Sequence, residues 1–290
     1  MPRPWNVEVR VGGAKQPEQG FLEKSFEESP FPQIAVERSL EPTLREHRAI
    51  ALANDGLRYM FGRLGLPPHD VPEKRIHIVT DEQIRAFGGW DEQEGLTLHG
   101  HVFIKRRIDL SHFYQDLTHE IVHAASFYAL QVQKKKGKNL AIWDRRLGFS
   151  FRPKSEAGSS AYFNGLSEGV TELMAHHLRR TMGTEQSGLT ETEIQQMRRR
   201  VFYGPWVRIA SAIPNIIAKS EVASADDVET DLYRDYVTGS YRILKRLERA
   251  RPGTAKALMP LVQTSGDALV AAELLGLHAL AAELRTAVRV

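Results

Sequence analysis

Residues 119–123 read His-Glu-Ile-Val-His, and these residue types at this spacing can build a hydrolytic metal centre. Residues four positions apart on a helix lie on one face, so the imidazoles of His119 and His123 can reach a single metal ion. Glu120 places a carboxylate beside that ion, where it can act as a general base towards water. The motif therefore predicts metal-assisted hydrolysis.

A second acidic motif, LSEGVTEL, occupies residues 166–173. On a helix, Glu168 and Glu172 share one face, whereas Leu166, Val170 and Leu173 occupy the other. Two carboxylates on the polar side of a half-buried helix need a partner. A metal ion that already carries two histidines is a suitable partner, and this helix is therefore expected to approach the first motif.

The composition restricts both the metal ligands and the partners. None of the 290 residues is cysteine, so thiolate sites and disulfides are excluded and a metal must be held by His, Asp or Glu. A formal net charge of +3 is too small to predict nucleic-acid binding. Because no signal-peptide pattern and no apolar run of ~18 residues is present, we expect a cytoplasmic protein without membrane insertion.

Together, HEIVH and LSEGVTEL resemble the gluzincins, the zinc peptidase clan that includes thermolysin and aminopeptidase N. The resemblance extends over residues 75–180, and the modest length is similar to that of the compact members called minigluzincins. It implies a Zn²⁺ cofactor held by His119, His123 and Glu168, with Glu120 as the general base. The implied substrate is a peptide or a protein.

The same resemblance assigns a supporting role to Glu172, which would accept a hydrogen bond from a zinc-bound histidine. The chain departs from the clan at Ser167, where an Asn usually precedes the ligand glutamate. A metzincin site is excluded, because its pattern requires Gly and His where this chain has Ser126 and Ala129.

The clan also stabilises the oxyanion of the reaction with a Tyr or a His. Tyr203, Tyr162 and His176 are the candidates here. For each of them, a packed or solvent-facing side chain is the favoured alternative.

Gluzincins further hold extended substrate along an edge strand, by backbone hydrogen bonds. Gly100, His101 and Val102, which directly precede the metal helix, are the candidate substrate-binding residues. Strand alternation also places His99 and His101 on one face, where they could bind a metal. The absence of a carboxylate close in sequence argues against that alternative.

The elements that must position these groups follow from periodicity and from Pro and Gly. We predict a small, mainly antiparallel sheet packed on the metal helix, in an α+β fold. The resemblance to the gluzincins implies that this fold is zincin-like. The predicted elements are a helix over 42–65, strands within 75–79 and 96–106, the metal helix over 110–132, a hairpin of 141–143 with 149–152, a helix over 166–181, and helices beyond 190.

Three regions are expected along the chain. Residues 1–41 are interrupted by Pro and Gly and predict an irregular extension, which could act as an inhibitory prosegment. Residues 42–182 form the predicted catalytic domain. Residues 183–290 form a helical C-terminal subdomain.

We therefore predict a zinc metallopeptidase. One alternative is a zinc-stabilised interaction or regulatory protein on a peptidase-like scaffold, without turnover. Another is a helical protein in which HExxH occurs by chance. The presence of Glu120 favours the enzyme, because a purely structural zinc site has no use for a base. Oligomeric state and cleavage specificity are not encoded in these motifs.

Overall fold

The computed structural model describes residues 6–10, 37–86, 94–98, 100–134, 140–152, 161–181, 189–199 and 201–288. The described residues form an α+β fold in which helices predominate. The strands are β1 (Asn6–Arg10), β2 (Ile76–Val79), β3 (Gly95–Leu98), β4 (His101–Lys105), β5 (Tyr128–Lys134), β6 (Leu140–Leu147) and β7 (Ser150–Phe151).

The helices come in two groups along the chain. The first group is α1 (Leu44–Arg63), α2 (Asp81–Ala86), α3 (Leu110–Ala125), α4 (Asn164–Thr181) and α5 (Glu191–Arg199), with a 3₁₀ turn at Glu73–Arg75. The second group is α6 (Gly204–Glu221), α7 (Ala225–Thr238), α8 (Arg242–Ala250), α9 (Thr254–Leu258), α10 (Ser265–Leu274) and α11 (His278–Val288).

A three-stranded sheet in the order β2-β4-β3 packs on α3. Strand β2 runs parallel to β4, whereas β3 runs antiparallel to it, so this sheet is mixed. On one face, Val79, Ile84 and Phe103 form a buried cluster against which Leu96 and Leu98 pack. Burial of this face fixes the strand register, because a slip by one residue would turn the leucines away from the cluster.

A second sheet has the order β1-β5-β6-β7, with β1 antiparallel to β5 and β6 antiparallel to β7. The β6–β7 turn contains Gly148 at φ 55°, a conformation that Gly adopts without strain, which confirms the turn predicted near this residue. The pairing differs from the prediction, because Arg146 and Leu147 pair with Phe151 and Ser150, whereas 141–143 were expected to pair with 149–152. Residues 6–10, within the stretch expected to be irregular, form β1. Residues 1–5 and 11–36 lie outside the described residues, so the prosegment hypothesis stays a prediction.

The metal helix α3 ends at Ala125, earlier than the predicted 132. The Ser126 hydroxyl and amide both donate to the His123 carbonyl and close the last turn. Beyond it, the chain pairs with β1 as a strand, because β1 supplies backbone partners from a distant part of the sequence. The prediction that the helix reaches residue 132 is therefore wrong, because Tyr128–Lys134 form β5.

Two compact units make up the chain. The first comprises Met1–Trp143 and Ala175–Arg200, and the second comprises Asp144–Met174 and Val201–Val290. The boundary falls within α4, so this one helix contributes residues to both units. Among the described residues, no helix is long and apolar enough to span a bilayer.

Candidate metal centre

Helix α3 is covered on almost every side. Asp109 begins it by accepting a hydrogen bond from the Ser111 amide, which satisfies one of the free amides of the first turn. The apolar side chains of Phe113, Leu117 and Ile121 on this helix are fully buried. The polar residues of the motif are buried as well: His119 is 6% exposed, Glu120 9% and His123 4%. Such burial requires that these groups have partners.

The two histidines face each other one helical turn apart. The Nε2 atoms of His119 and His123 are 3.1 Å apart, and the two rings meet edge to face. At that distance, two unprotonated nitrogens would direct their lone pairs at each other. Either one Nε2 carries a proton and donates it to the other ring, or a cation lies between them.

Glu168, at the start of α4, brings the third donor. One ring nitrogen each of His119 and His123 and one carboxylate oxygen of Glu168 all lie within 4.8 Å of one another. Across the described residues, this is the one group of three or more such side chains with that geometry. The structure therefore brings together the three residues that the sequence nominated, and the group can hold a metal ion.

Glu120 is held from the neighbouring strand. The Thr97 hydroxyl on β3 lies 2.8 Å from Glu120 Oε2 and 3.0 Å from the backbone oxygen of Glu120. Gly95, on the same face of β3, leaves room for this side chain, because a Cβ there would lie 2.6 Å from Glu120 Cγ. The carboxylate of the motif thus has a defined position beside the histidines.

A second carboxyl group lies one turn before Glu120 on α3. Asp116 is 4% exposed, and burial raises its pKa to about 7, against the opposing effect of Arg107. Arg107 Nε lies 3.4 Å from Asp116 Oδ2, and the same guanidinium forms an ion pair with Glu94. The negative charge of Glu120 also raises the Asp116 pKa. On this part of α3, the ionisation of Asp116 therefore depends on the charge of Glu120.

Glu172 is fully buried on α4, and its Oε1 accepts the backbone amide of Phe202 at 3.1 Å. Gly169, beside Glu168, allows close approach of α6. A Cβ at Gly169 would lie 2.7 Å from the Trp206 carbonyl carbon and would collide with its oxygen. Gly169, which follows Glu168, is thus required by packing. The hydrogen bond predicted between Glu172 and a metal histidine stays a prediction.

The structure describes the surroundings of all three oxyanion candidates, His176, Tyr203 and Tyr162. His176 Nε2 is 2.9 Å from the Arg198 carbonyl oxygen, which can only accept, so Nε2 carries the proton. In the neutral ring, Nδ1 is then an acceptor, which argues against His176 as an oxyanion donor. Tyr203 precedes α6 at φ 49° and is 36% exposed. Tyr162 pairs with Phe151 and stacks on its ring.

The predicted substrate strand needs correction. His101 and Val102 lie on β4, the central strand of the three-stranded sheet, and Gly100 forms the turn before it at φ 76°. The backbone of Val102 pairs with Ile76 on one side and with Thr97 on the other. Central strands offer no edge to an extended peptide. Among the described strands, β3 is the edge beside α3.

His101 makes a different contact. Its Nδ1 lies 2.9 Å from Nε2 of His77, and the two buried rings stack. The alternative in which His99 and His101 bind a metal involves His99, which lies outside the described residues.

Four residues near the site were not singled out from the sequence: Gly95, Thr97, Arg107 and Asp116. The sequence contains two signals that point to three of them. Asp116 precedes Glu120 by one helical turn, and Gly95 and Thr97 alternate along one strand face. Which element that face meets depends on strand order, which has no local sequence signal.

A cavity of about 520 Å³ lies at the amino end of α3, lined by residues including Asp109, His112 and Arg199. None of the predicted site residues lines it.

No protein-family model, curated protein or solved structure matches this chain.

Proposed function

We propose that the protein is a zinc-dependent peptidase of the gluzincin type, with a zincin-like catalytic core. The observation that carries the proposal is the approach of His119, His123 and Glu168 to within 4.8 Å, with Glu120 fixed beside them. A structural metal site has no use for an additional, positioned carboxylate. A general base requires one.

The donor set fits zinc. Two imidazoles and one carboxylate are a common catalytic zinc ligand set, which leaves a fourth position open. Zinc–nitrogen bonds of ~2.0–2.1 Å in a tetrahedral site place two nitrogens ~3.3 Å apart, close to the 3.1 Å between the histidines. Two donors of one ion cannot be more than ~4 Å apart, so the three donor atoms, which lie within 4.8 Å of one another, would move closer together on binding zinc.

This ligand set gives each residue of the site a defined role in the proposed hydrolysis. When bound, zinc supplies a Lewis acid that polarises the scissile carbonyl and acidifies water. His119 and His123 remain neutral and donate lone pairs, while Glu168 supplies one negative charge. Glu120 accepts a proton from the attacking water as its oxygen adds to the carbonyl carbon, and returns that proton to the amine nitrogen as the C–N bond breaks.

The test combines metal analysis with catalysis. Zinc content after dialysis and hydrolysis of a mixed peptide library are measured for the wild type, Glu120→Gln and the exposed-residue control Glu82→Gln. We expect one zinc per chain in all three proteins. Hydrolysis should fall by ~10³-fold or more in Glu120→Gln alone, because the base is lost but no ligand is.

Activity of Glu120→Gln within tenfold of the wild type would contradict the mechanism. Zinc without hydrolysis in the wild type would leave a metal-stabilised, non-catalytic protein. A wild type without zinc would reject both functions.

A further inference from the structure

Strand β3 contacts the proposed general base through Thr97. The Thr97 hydroxyl has one proton and two acceptors within reach, Oε2 and the backbone oxygen of Glu120. A charged carboxylate is the stronger acceptor, and the Oε2 distance of 2.8 Å is also the shorter. Thr97 therefore donates to Oε2.

The same face of β3 shapes the space that Glu120 fills. Gly95 lies two residues before Thr97, and a Cβ at that position would lie 3.1 Å from Oε1 as well as 2.6 Å from Cγ of Glu120. Any side chain at residue 95 would push Glu120 out of its position. The Thr97 hydroxyl and the absence of a side chain at Gly95 thus both determine the position of the Glu120 carboxylate.

The opposite face of β3 anchors the strand. Leu96 and Leu98 pack against the buried cluster of Val79, Ile84 and Phe103. Because side chains alternate along a strand, this burial keeps Gly95 and Thr97 directed to the other side, towards α3. The position of Thr97 is therefore determined by apolar packing and does not depend on the hydrogen bond itself.

This contact distinguishes the two oxygens of Glu120. In the part of the chain that the structure describes, Thr97 is the one hydrogen-bond partner of this carboxylate, and it binds Oε2. Oε1 remains available to a proton from water.

We propose that Thr97 is a positioning residue for Glu120, whose hydroxyl fixes the carboxylate through Oε2 and leaves Oε1 as the proton acceptor. The inference rests on the peptidase function proposed above. It adds that β3 contributes to the hydrolytic step through its side chains.

Thr97→Val tests the proposal, because valine keeps the shape and removes the donor. We expect kcat to fall by about 10–100-fold, the equivalent of one hydrogen bond to a charged group, with KM, zinc content and Tm unchanged. Thr97→Ser restores the donor and should recover most of the lost kcat. Thr230→Val is the matched control, since that hydroxyl donates to a helix carbonyl, that of Asp226 on α7.

Crystal structures provide a readout that does not depend on activity. The Glu120 carboxylate should be displaced in Thr97→Val and should occupy the wild-type position in Thr97→Ser. Gly95→Ala is the second variant: its Cβ should displace the same carboxylate while the Thr97 hydroxyl is intact, and kcat should fall again. If Thr97→Val does not fold, Gly95→Ala and Thr97→Ser test the proposal instead, by kcat and by the position of the Glu120 carboxylate in their crystal structures.

Wild-type kcat in Thr97→Val with an unmoved Glu120 overturns the proposal and leaves the peptidase function intact. Loss of zinc or a lowered Tm in step with kcat also overturns it, because the role is then structural. If the wild type hydrolyses no peptide, the peptidase function fails. The crystal structures then decide alone whether Thr97 positions Glu120.

Discussion

Two buried histidine pairs in the first compact unit have similar contacts but different surroundings. On helix α3, His119 and His123 bring their Nε2 atoms to 3.1 Å. In the three-stranded sheet, His77 and His101 bring Nε2 and Nδ1 to 2.9 Å. All four side chains are less than 9% exposed. Distance and burial alone do not separate a metal-binding pair from a packed one.

The neighbours of each pair make the difference. His77 stacks on Phe103 as well as on His101, and burial lowers its pKa to about 4. The helical pair instead has the Glu168 carboxylate within 4.8 Å and Glu120 beside it in sequence. Carboxylates balance the charge of a metal ion, whereas an apolar sheet favours neutral rings that hydrogen-bond to each other. Acidic neighbours therefore mark the helical pair as the one that can hold a metal ion.

The largest expected effect separates the pairs by zinc affinity. His123→Ala removes a ligand and should weaken zinc binding by more than about 100-fold, beyond the loss seen for residues that only support a ligand. His101→Asn, in the sheet, should bind zinc as the wild type does. Competition with a fluorescent chelator measures both. Zinc loss in His101→Asn would end the distinction between the pairs.

A graded response is expected from the two glutamates of α4. Glu168→Gln removes a ligand and its charge, and should lower zinc affinity the more strongly. Glu172→Gln keeps an acceptor oxygen and should weaken zinc binding by about 10–100-fold at most. Titration of each apoprotein with zinc provides the comparison. The reverse order would identify Glu172 as the ligand, and an unchanged affinity in Glu172→Gln would place that residue outside the metal site.

The sheet pair should be visible in the pH dependence of stability. The pKa of His77 is lowered from 6.5 to about 4 in the folded protein, so only the unfolded chain binds a proton between these values. The free energy of unfolding should therefore fall as the pH drops from 6.5 to 4, by roughly 2–3 kcal/mol from this residue. His77→Gln keeps a donor for His101 without this titration, and should lose that part of the dependence.

Urea unfolding at a series of pH values provides the measurement, with the exposed His278→Gln as control. If the wild type and His77→Gln show the same pH dependence, the sheet pair is not held neutral by burial. The lowered pKa of His77 would then no longer distinguish the sheet pair from the helical pair.

The smallest effect concerns the packing beside Glu168. Gly169→Ala places a methyl group against the Trp206 backbone and should destabilise the protein by about 1–3 kcal/mol. Gly62→Ala is the matched control, because a Cβ in that helix meets nothing within 4 Å and should stabilise the protein by about 0.5–1 kcal/mol. Chemical denaturation of the two variants tests the contrast. If Gly169→Ala and Gly62→Ala change the free energy of unfolding equally, α4 has room to move at Glu168.

The helical part of the candidate site could be predicted because helix geometry is local. The four-residue spacing placed His119 and His123 on one face, and the motif in α4 placed Glu168 within reach of them. Similarly, the turn at Gly148 was predicted from a residue suited to it.

The sheet part could not be predicted in the same way, because pairing partners are distant in sequence. The end of α3 was misplaced since β5 is stabilised by β1, and the substrate strand was misplaced since the sheet order puts β4 in the centre. Thr97 was missed for the same reason: its hydroxyl reaches Glu120 only through that strand order.

The discontinuity of the first compact unit affects how the protein is made on the ribosome. Its two segments are separated by Asp144–Met174, so the unit remains incomplete until synthesis has passed Arg200. At ~5–20 residues per second, the chain carrying both histidine pairs waits for several seconds before its closing helices emerge. During that interval Glu168 follows the histidines out of the exit tunnel. The two histidines therefore emerge first and Glu168 later, so the group that can hold a metal ion is complete only late in synthesis.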